Sequence, residues 1–161
     1  MAGHSAGKEA AGVPMPDVDR SSIIQLKDHT FAPLKRESGV SYKEIEAQVA
    51  NTMWQFVGPV RNESSLLRAE GILGEMGEMV SRLHATDLHD LMRCHEVQTM
   101  WRVSQVTTAA SIPRRETRFG PYFNRSDFPD TDEALCGQMV VREKDGALSV
   151  NFLPLTYDIF D

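Results

Sequence analysis

From Leu66 to Leu83, apolar side chains recur in alternating steps of three and four: Leu66, Ala69, Leu73, Met76, Val80 and Leu83. Such a seam lies along one side of an α-helix and predicts packing against neighbouring helices at a shallow angle. Asn62 stands where an N-cap is needed. The preceding stretch has the same character. Ser41-Tyr42-Lys43-Glu44 has the form of a capping box, and Ile45, Val49, Met53, Phe56 and Val60 form a helical stripe. Gly58-Pro59 ends or kinks that helix, because proline removes a donor and clashes with the preceding turn. A third helix is predicted from Leu88 to Ser111, capped by Thr86 or Asp87 and stopped by Pro113. Its stripe is read as Leu88, Met92, His95, Thr99, Val103, Val106 and Ala110, with Leu91, Val97, Met100, Trp101 and Ala109 adding apolar surface elsewhere. A helix apolar on more than one side is expected to be covered on more than one side.

The flanks differ. Gly3 to Ala11 is rich in Ala and Gly and reads as the tail of a helix, broken from Gly12 to Pro16. Gly12 to Gly39 carries Pro14, Pro16 and Pro33 with little periodicity, and reads as an extended linker with a short helical turn near Ile23 to Asp28. Arg114 to Cys136 has no stripe, and so long a loop in a compact chain is usually functional or docked on a partner. Alternation in Gln138 to Glu143, the turn signal Lys144-Asp145-Gly146, and Leu148, Val150 and Phe152 predict a β-hairpin. The expected fold is mainly α: a three-helix up-down-up bundle, then a long loop and a small C-terminal β-hairpin. The expected divisions are 1–40 (N-terminal segment and linker), 41–113 (bundle) and 114–161 (loop and hairpin).

Composition narrows the function classes. The 161 residues suit one domain with appendages, and at 41% hydrophobic they can form a core without disulfides. A net charge of −6 argues against nucleic acid as a general partner. Cys94 and Cys136 form no C-x-x-C unit and read as reduced thiols of a cytoplasmic protein. No apolar run is long enough to span a membrane, and the N-terminus lacks the apolar segment of a signal peptide. Direct membrane insertion is therefore not expected.

Several patterns resemble catalytic motifs and have plainer readings. Gly3-His4-Ser5-Ala6-Gly7 matches G-x-S-x-G, but that elbow needs a strand before it, and only two residues precede it. His4, His29, His84, His89 and His95 include no pair at the spacing of a helical metal site. Cys94 and His95 are adjacent and so point about 100° apart on a helix. Glu70, Glu75 and Glu78 read as a solvated face, and Met53, Trp54, Phe56, Met92, Met100 and Trp101 as core. Hence neither a catalytic residue nor a cofactor-binding or metal-ligating residue is expected.

One segment is unusual. Arg114 to Pro129 holds four arginines and four aromatics in sixteen residues of an acidic chain. Arginine recognises carboxylate or phosphate through a planar fork, and aromatics supply contact area that sheds water readily. The segment reads as a docking surface, carried by Arg114, Arg115, Glu116, Arg118, Tyr122, Arg125 and Asp127. Part of its charge is expected to be bridged internally to Glu116, Asp127, Asp130, Asp132 and Glu133. An anion or nucleic-acid site is the alternative.

These residues also carry a resemblance. Arg114-Arg115-Glu116-Thr117-Arg118-Phe119-Gly120, then Tyr122, Arg125-Ser126-Asp127-Phe128-Pro129 and an acidic run, resemble the segment after the third helix in the C-terminal domain of succinate dehydrogenase/fumarate reductase flavoproteins. Asp87-Leu88-His89-Asp90-Leu91-Met92 is similar to D-L-H-E-L-M of the adenylylsulfate reductase α-subunit branch. Arg118-Phe119-Gly120-Pro121-Tyr122 departs from the family's common R-G-A-H form, which leaves the substrate open. The resemblance covers Ser41 to Phe152. Ala2 to Ala11 looks like the last helix of the family's FAD-binding domain. The resemblance implies the C-terminal helical domain or subunit of an FAD-dependent oxidoreductase that moves electrons between flavin and a substrate such as fumarate, succinate or adenylylsulfate. It implies FAD in the parent or partner flavoprotein and not in this chain, whose sequence has no G-x-G-x-x-G fingerprint. It further implies docking to the FAD-binding body, often with an iron–sulfur subunit, and no catalysis by this chain alone. A stand-alone helical interaction module derived from such a domain is the alternative, and a Ser5 hydrolase is a third.

Overall fold

The computed structural model describes residues 2–14, 17, 19–120 and 122–155. Pro16, read above as part of a break, Pro121 and the tail beyond Leu155 lie outside the described residues. The chain divides into two compact units, residues 1–32 and 33–161.

The first unit holds helix α1 (Ala2–Ala10) and most of α2 (Arg20–Lys35). Here the sequence reading needs correction, because the expected linker is a 16-residue helix. Its start is fixed by Asp19, whose carboxylate accepts the Ser21 and Ser22 backbone N–H groups at 3.0 and 3.2 Å. Those are donors that a helix start otherwise leaves open. Pro33 lies in the last turn, where it removes the hydrogen bond an N–H would make to the His29 carbonyl but leaves only two helical residues beyond it.

The second unit contains the bundle. Helices α3 (Tyr42–Phe56), α4 (Glu63–Ser81) and α5 (Leu88–Ser111) run up, down and up, and each packs on the other two. Ser41 caps α3, accepting the Lys43 N–H at 3.3 Å. Asn62 makes the reciprocal capping box on α4: its Oδ1 accepts the Ser65 N–H at 2.9 Å and the Ser65 hydroxyl receives the Asn62 N–H at 3.1 Å. Asp87 caps α5 through the Asp90 N–H at 2.8 Å.

The α4 seam is buried over its whole length: from Leu73 to Leu83 it meets Ile45 and Val49 of α3 and Leu91, Cys94 and Val97 of α5, while Leu66 and Ala69 pack with Val57 in a second cluster. Burial of each large aliphatic chain in this core contributes roughly 1.5–3 kcal/mol. Of Gly71, Gly74 and Gly77, only Gly77 sits where a Cβ would meet another side chain, the Trp101 ring at 3.4 Å. Trp101 itself donates from Nε1 to the Leu73 carbonyl at 2.7 Å, locking α5 to α4. Gly39 is required by proximity, because a Cβ there would lie 2.2 Å from the Arg82 carbonyl oxygen. That approach lets the Val40 N–H donate to the Arg82 carbonyl at 2.9 Å and the Val40 carbonyl accept the His84 N–H at 3.0 Å.

Helix α5 differs from expectation. Its buried face is Leu91, Cys94, Val97, Ser104, Thr108 and Ser111, not the stripe through Leu88, Met92 and Val103, which faces solvent. The three hydroxyls donate back to carbonyls four residues earlier, all at 2.8 Å, so they enter the core without an open donor. Trp54, Met92 and Met100, read as core, are likewise exposed.

After α5 the chain forms strand β1's partner. Strand β1 (Val60–Arg61) pairs in parallel with β2 (Asn124–Arg125). A 3₁₀ turn at Glu133–Leu135 follows, and then the antiparallel hairpin β3 (Gly137–Lys144) and β4 (Ala147–Pro154), which rests on α5. Asp145 and Gly146, both at positive φ (52° and 80°), make the two-residue turn that matches strand twist. Among the described residues no helix is long and apolar enough to cross a membrane.

Candidate docking site

The Arg/aromatic segment is held down by two carboxylates. Glu116, fully buried, accepts Arg118 Nε on both oxygens at 2.9 Å, Arg114 Nη1, and the Asp132 backbone N–H at 3.0 Å. Burial pushes its carboxyl up, but the Arg118, Asp132 and Arg114 hydrogen bonds outweigh that and hold it below its ordinary value. Arg114 and Arg118 each extend further, to the Gly137 carbonyl at 2.7 Å and the Asp132 carbonyl at 2.8 Å.

Asp127 is the second carboxylate. It pairs side-on with Arg125, Nε to Oδ1 at 2.9 Å and Nη2 to Oδ2 at 2.8 Å. The remaining Nη1 of Arg125 donates to the carbonyls of Ser111, Ile112 and Arg114 at 3.0–3.2 Å, the open acceptors at the end of α5. Asp127 Oδ2 also accepts the Glu63 N–H at 2.8 Å, an open donor at the start of α4. The Arg125 hydrogen bonds hold the Asp127 carboxyl well below the usual range against the opposing effect of burial, with the Glu63 N–H adding to the depression. Thr117 pins the loop from within, accepting the Arg125 N–H and donating to the Phe128 carbonyl, each at 2.9 Å.

Five of the seven residues singled out in sequence, Arg114, Glu116, Arg118, Arg125 and Asp127, thus meet in internal bonding. Arg115 reaches Glu63 Oε1 at 2.9 Å on the surface. Tyr122 stands at the tip, 78% exposed, beside Phe119 at 77%. Phe119 has φ 55°, a left-handed conformation unfavourable for an aromatic residue. The tip therefore holds two rings in water on a strained turn. Sequence reasoning overlooked Arg61, whose guanidinium lies 4.7 Å from the Phe123 ring centre, and Glu63. Both lie fifty or more residues from their partners, where no local pattern connects them.

The second exposed feature is the outer face of α5. Leu88 (70%), Met92 (49%) and Val103 (57%) face solvent at helical spacing, with Met100 nearby. His95, Glu96 and Thr99 lie among them on the same face, so the exposed apolar groups alternate with polar ones.

The described residues contain no strand–helix–strand unit that could cradle a dinucleotide. Their parallel pairing is confined to β1–β2 and the Val40–Leu83 bridge. A dinucleotide-binding unit of that kind is therefore not among the described residues.

The sequence model of the family described as "Fumarate reductase flavoprotein C-term" matches residues 46–160. An uncharacterized FAD-dependent oxidoreductase of Methanocaldococcus jannaschii is 26% identical over 160 residues, spanning 99% of this chain and 28% of the relative. The fumarate reductase flavoprotein subunit of Mycobacterium tuberculosis is 29% identical over 172 residues, spanning 96% and 29%. The chain thus covers less than a third of the length of these relatives. In fold it is similar to adenylylsulfate reductase from Archaeoglobus fulgidus, with a TM-score of 0.83 at 21% identity over 91% of this chain and 26% of that one. It is also similar to Mycobacterium smegmatis Sdh1 in complex with UQ1, with a TM-score of 0.85 at 19% identity over 96% and 27%.

Proposed function

The chain belongs to the family of fumarate reductase flavoprotein C-terminal domains, and on that premise we propose that it serves as the C-terminal helical part of an FAD-dependent oxidoreductase, docking to the flavin-bearing body without doing chemistry itself. The flavin would reside in that body, and an iron–sulfur subunit would exchange electrons with it. The relatives named as FAD-dependent oxidoreductase and fumarate reductase flavoprotein subunit support the place given to the flavin.

The observation that carries the docking role is the α5 face. A small domain that leaves Leu88, Met92 and Val103 in water gives up burial that a contact surface would recover. The Phe119–Tyr122 tip adds aromatic area. The ion-paired network behind it, from Arg114 to Asp127, supports the tip and is not itself the contact.

The experiment is recovery of the tagged chain from its source cells, with a visible absorption spectrum of the eluate. Co-purification of a larger yellow flavoprotein is expected, and its loss in Met92→Asp/Val103→Asp, a variant whose circular dichroism and melting stay normal. A colourless eluate from the unaltered chain would overturn the reading and favour a stand-alone helical interaction module.

A further inference from the structure

Beside the loop network lies a pocket of about 540 Å³, lined by Val106 and Ala110 of α5, Met139 of β3, the Phe123 ring and the side chain of Arg61. Its volume is that of a small-molecule site, and most of its wall is apolar.

Arg114 and Arg118 line it as well as Arg61; these two are each paired with Glu116, and among the described residues Arg61 alone of the three has no carboxylate. A guanidinium has five N–H donors and no acceptor. Arg61 uses two groups weakly, Nη1 to the Ser111 hydroxyl and Nη2 to the Tyr122 carbonyl, both at 3.3 Å. Its Nε is buried with no partner. Its other contact is the face of Phe123. Among the described residues it forms no ion pair, whereas Arg114, Arg115, Arg118 and Arg125 each have a carboxylate. Burial, and then the charge of Arg125, push the Arg61 guanidinium below its ordinary value. The half-buried side chain also sits in an acidic protein, where carboxylates were available in number. A desolvated, under-bonded cation at the wall of an apolar pocket is stabilised by an anion that brings its own apolar surface.

We propose that this pocket binds a small carboxylic acid with an apolar body, its carboxylate on Arg61 and its body between Val106, Ala110 and Met139. Phosphate or sulfate alone would satisfy the charge and leave the walls wet. A neutral apolar molecule would fill the walls and leave Arg61 unpaired. The two halves of the pocket select for both properties in one molecule. This site is distinct from the Leu88, Met92 and Val103 face of α5 that carries the docking reading, although Phe119 of the aromatic tip also lines it.

The test uses 4-phenylbutyrate and its uncharged analogue 4-phenylbutan-1-ol as probes, titrated into the 161-residue chain while methionine methyl NMR signals are followed. The expected result is a saturable shift of the Met139 methyl, with the acid binding roughly tenfold or more tightly than the alcohol. Arg61→Gln should bring the acid down to the alcohol's affinity, and Arg61→Lys should retain part of the difference. The buried Met76 methyl reports whether each variant is folded. The acid–alcohol comparison needs no variant, so it holds even if Arg61→Gln fails to fold. Absence of any Met139 shift, equal binding of acid and alcohol, or an unchanged affinity in folded Arg61→Gln would each overturn the proposal.

Discussion

Arg125 and Asp127 face each other two residues apart and together join the end of one helix to the beginning of another. Arg125 supplies donors to the open carbonyls that finish α5, and Asp127 supplies an acceptor to the open N–H that starts α4. Each charge stands at the helix terminus of opposite partial charge. The pair therefore does more than neutralise itself, because it fixes where two of the three bundle helices end relative to the loop.

Replacing Arg125 is consequently a stability experiment. The side chain is fully buried, and Arg125→Ala leaves three carbonyls and one carboxylate without their donor. Breaking a buried pair by removing one partner costs about 3–5 kcal/mol. Urea unfolding of the variant should show that loss. A midpoint within error of the parent protein would show that the loop is dispensable to the bundle.

Acid should undo the same network. Glu116 and Asp127 both hold their protons less tightly folded than unfolded. Between their folded values and the ordinary carboxylate range near 4, the unfolded chain binds more protons, so stability falls as pH falls. The stabilisation is complete at neutral pH. The melting temperature is expected to be level from about pH 7 to 5 and to drop below about pH 4.5. Asp127→Asn should melt lower at neutral pH and lose less on acidification. A melting temperature that rises between pH 5 and 3 would contradict the assignment.

The two thiols should behave differently. Cys94 is fully buried, and burial, with the charge of Asp90 adding to it, pushes its thiol up. Cys136 is partly exposed. A thiol-reactive chromophore at pH 8 should titrate Cys136 at once and Cys94 only when the chain opens, because the thiolate is the reactive form. Immediate reaction of both would mean the bundle core is looser than its packing indicates.

Legibility in the sequence tracked the chemistry of the side chains. The α4 seam could be read residue by residue because all its members are apolar, and the capping residues Ser41, Asn62 and Asp87 stood where short polar side chains satisfy a helix start. On α5 the same method chose the wrong face. Ser104, Thr108 and Ser111 count as polar in a pattern, yet each returns its hydroxyl to its own helix and packs as a small neutral group. The helix Arg20–Lys35 was masked by its proline, although Asp19 ahead of Ser21 and Ser22 was a readable cap. The loop's arginines and acids were visible as a set. Their division of partners was not, since Arg115 finds Glu63 and Asp127 finds the Glu63 backbone across 64 positions.

That separation has a consequence for portability. The segment from Arg114 to Leu135 contains almost no regular structure, and its shape comes from the ends of α4 and α5 and from the two-residue pairing of Val60–Arg61 with Asn124–Arg125. Cut out as a peptide, it would keep the groups that pair within it, Glu116 with Arg118 and Arg125 with Asp127, and lose the helix ends on which Arg125 and Asp127 are anchored. Grafted between other helices, it would need their termini at the same spacing. Its order is on loan from the bundle, so drift in the bundle's helix ends would reshape the aromatic tip without a single substitution in the loop.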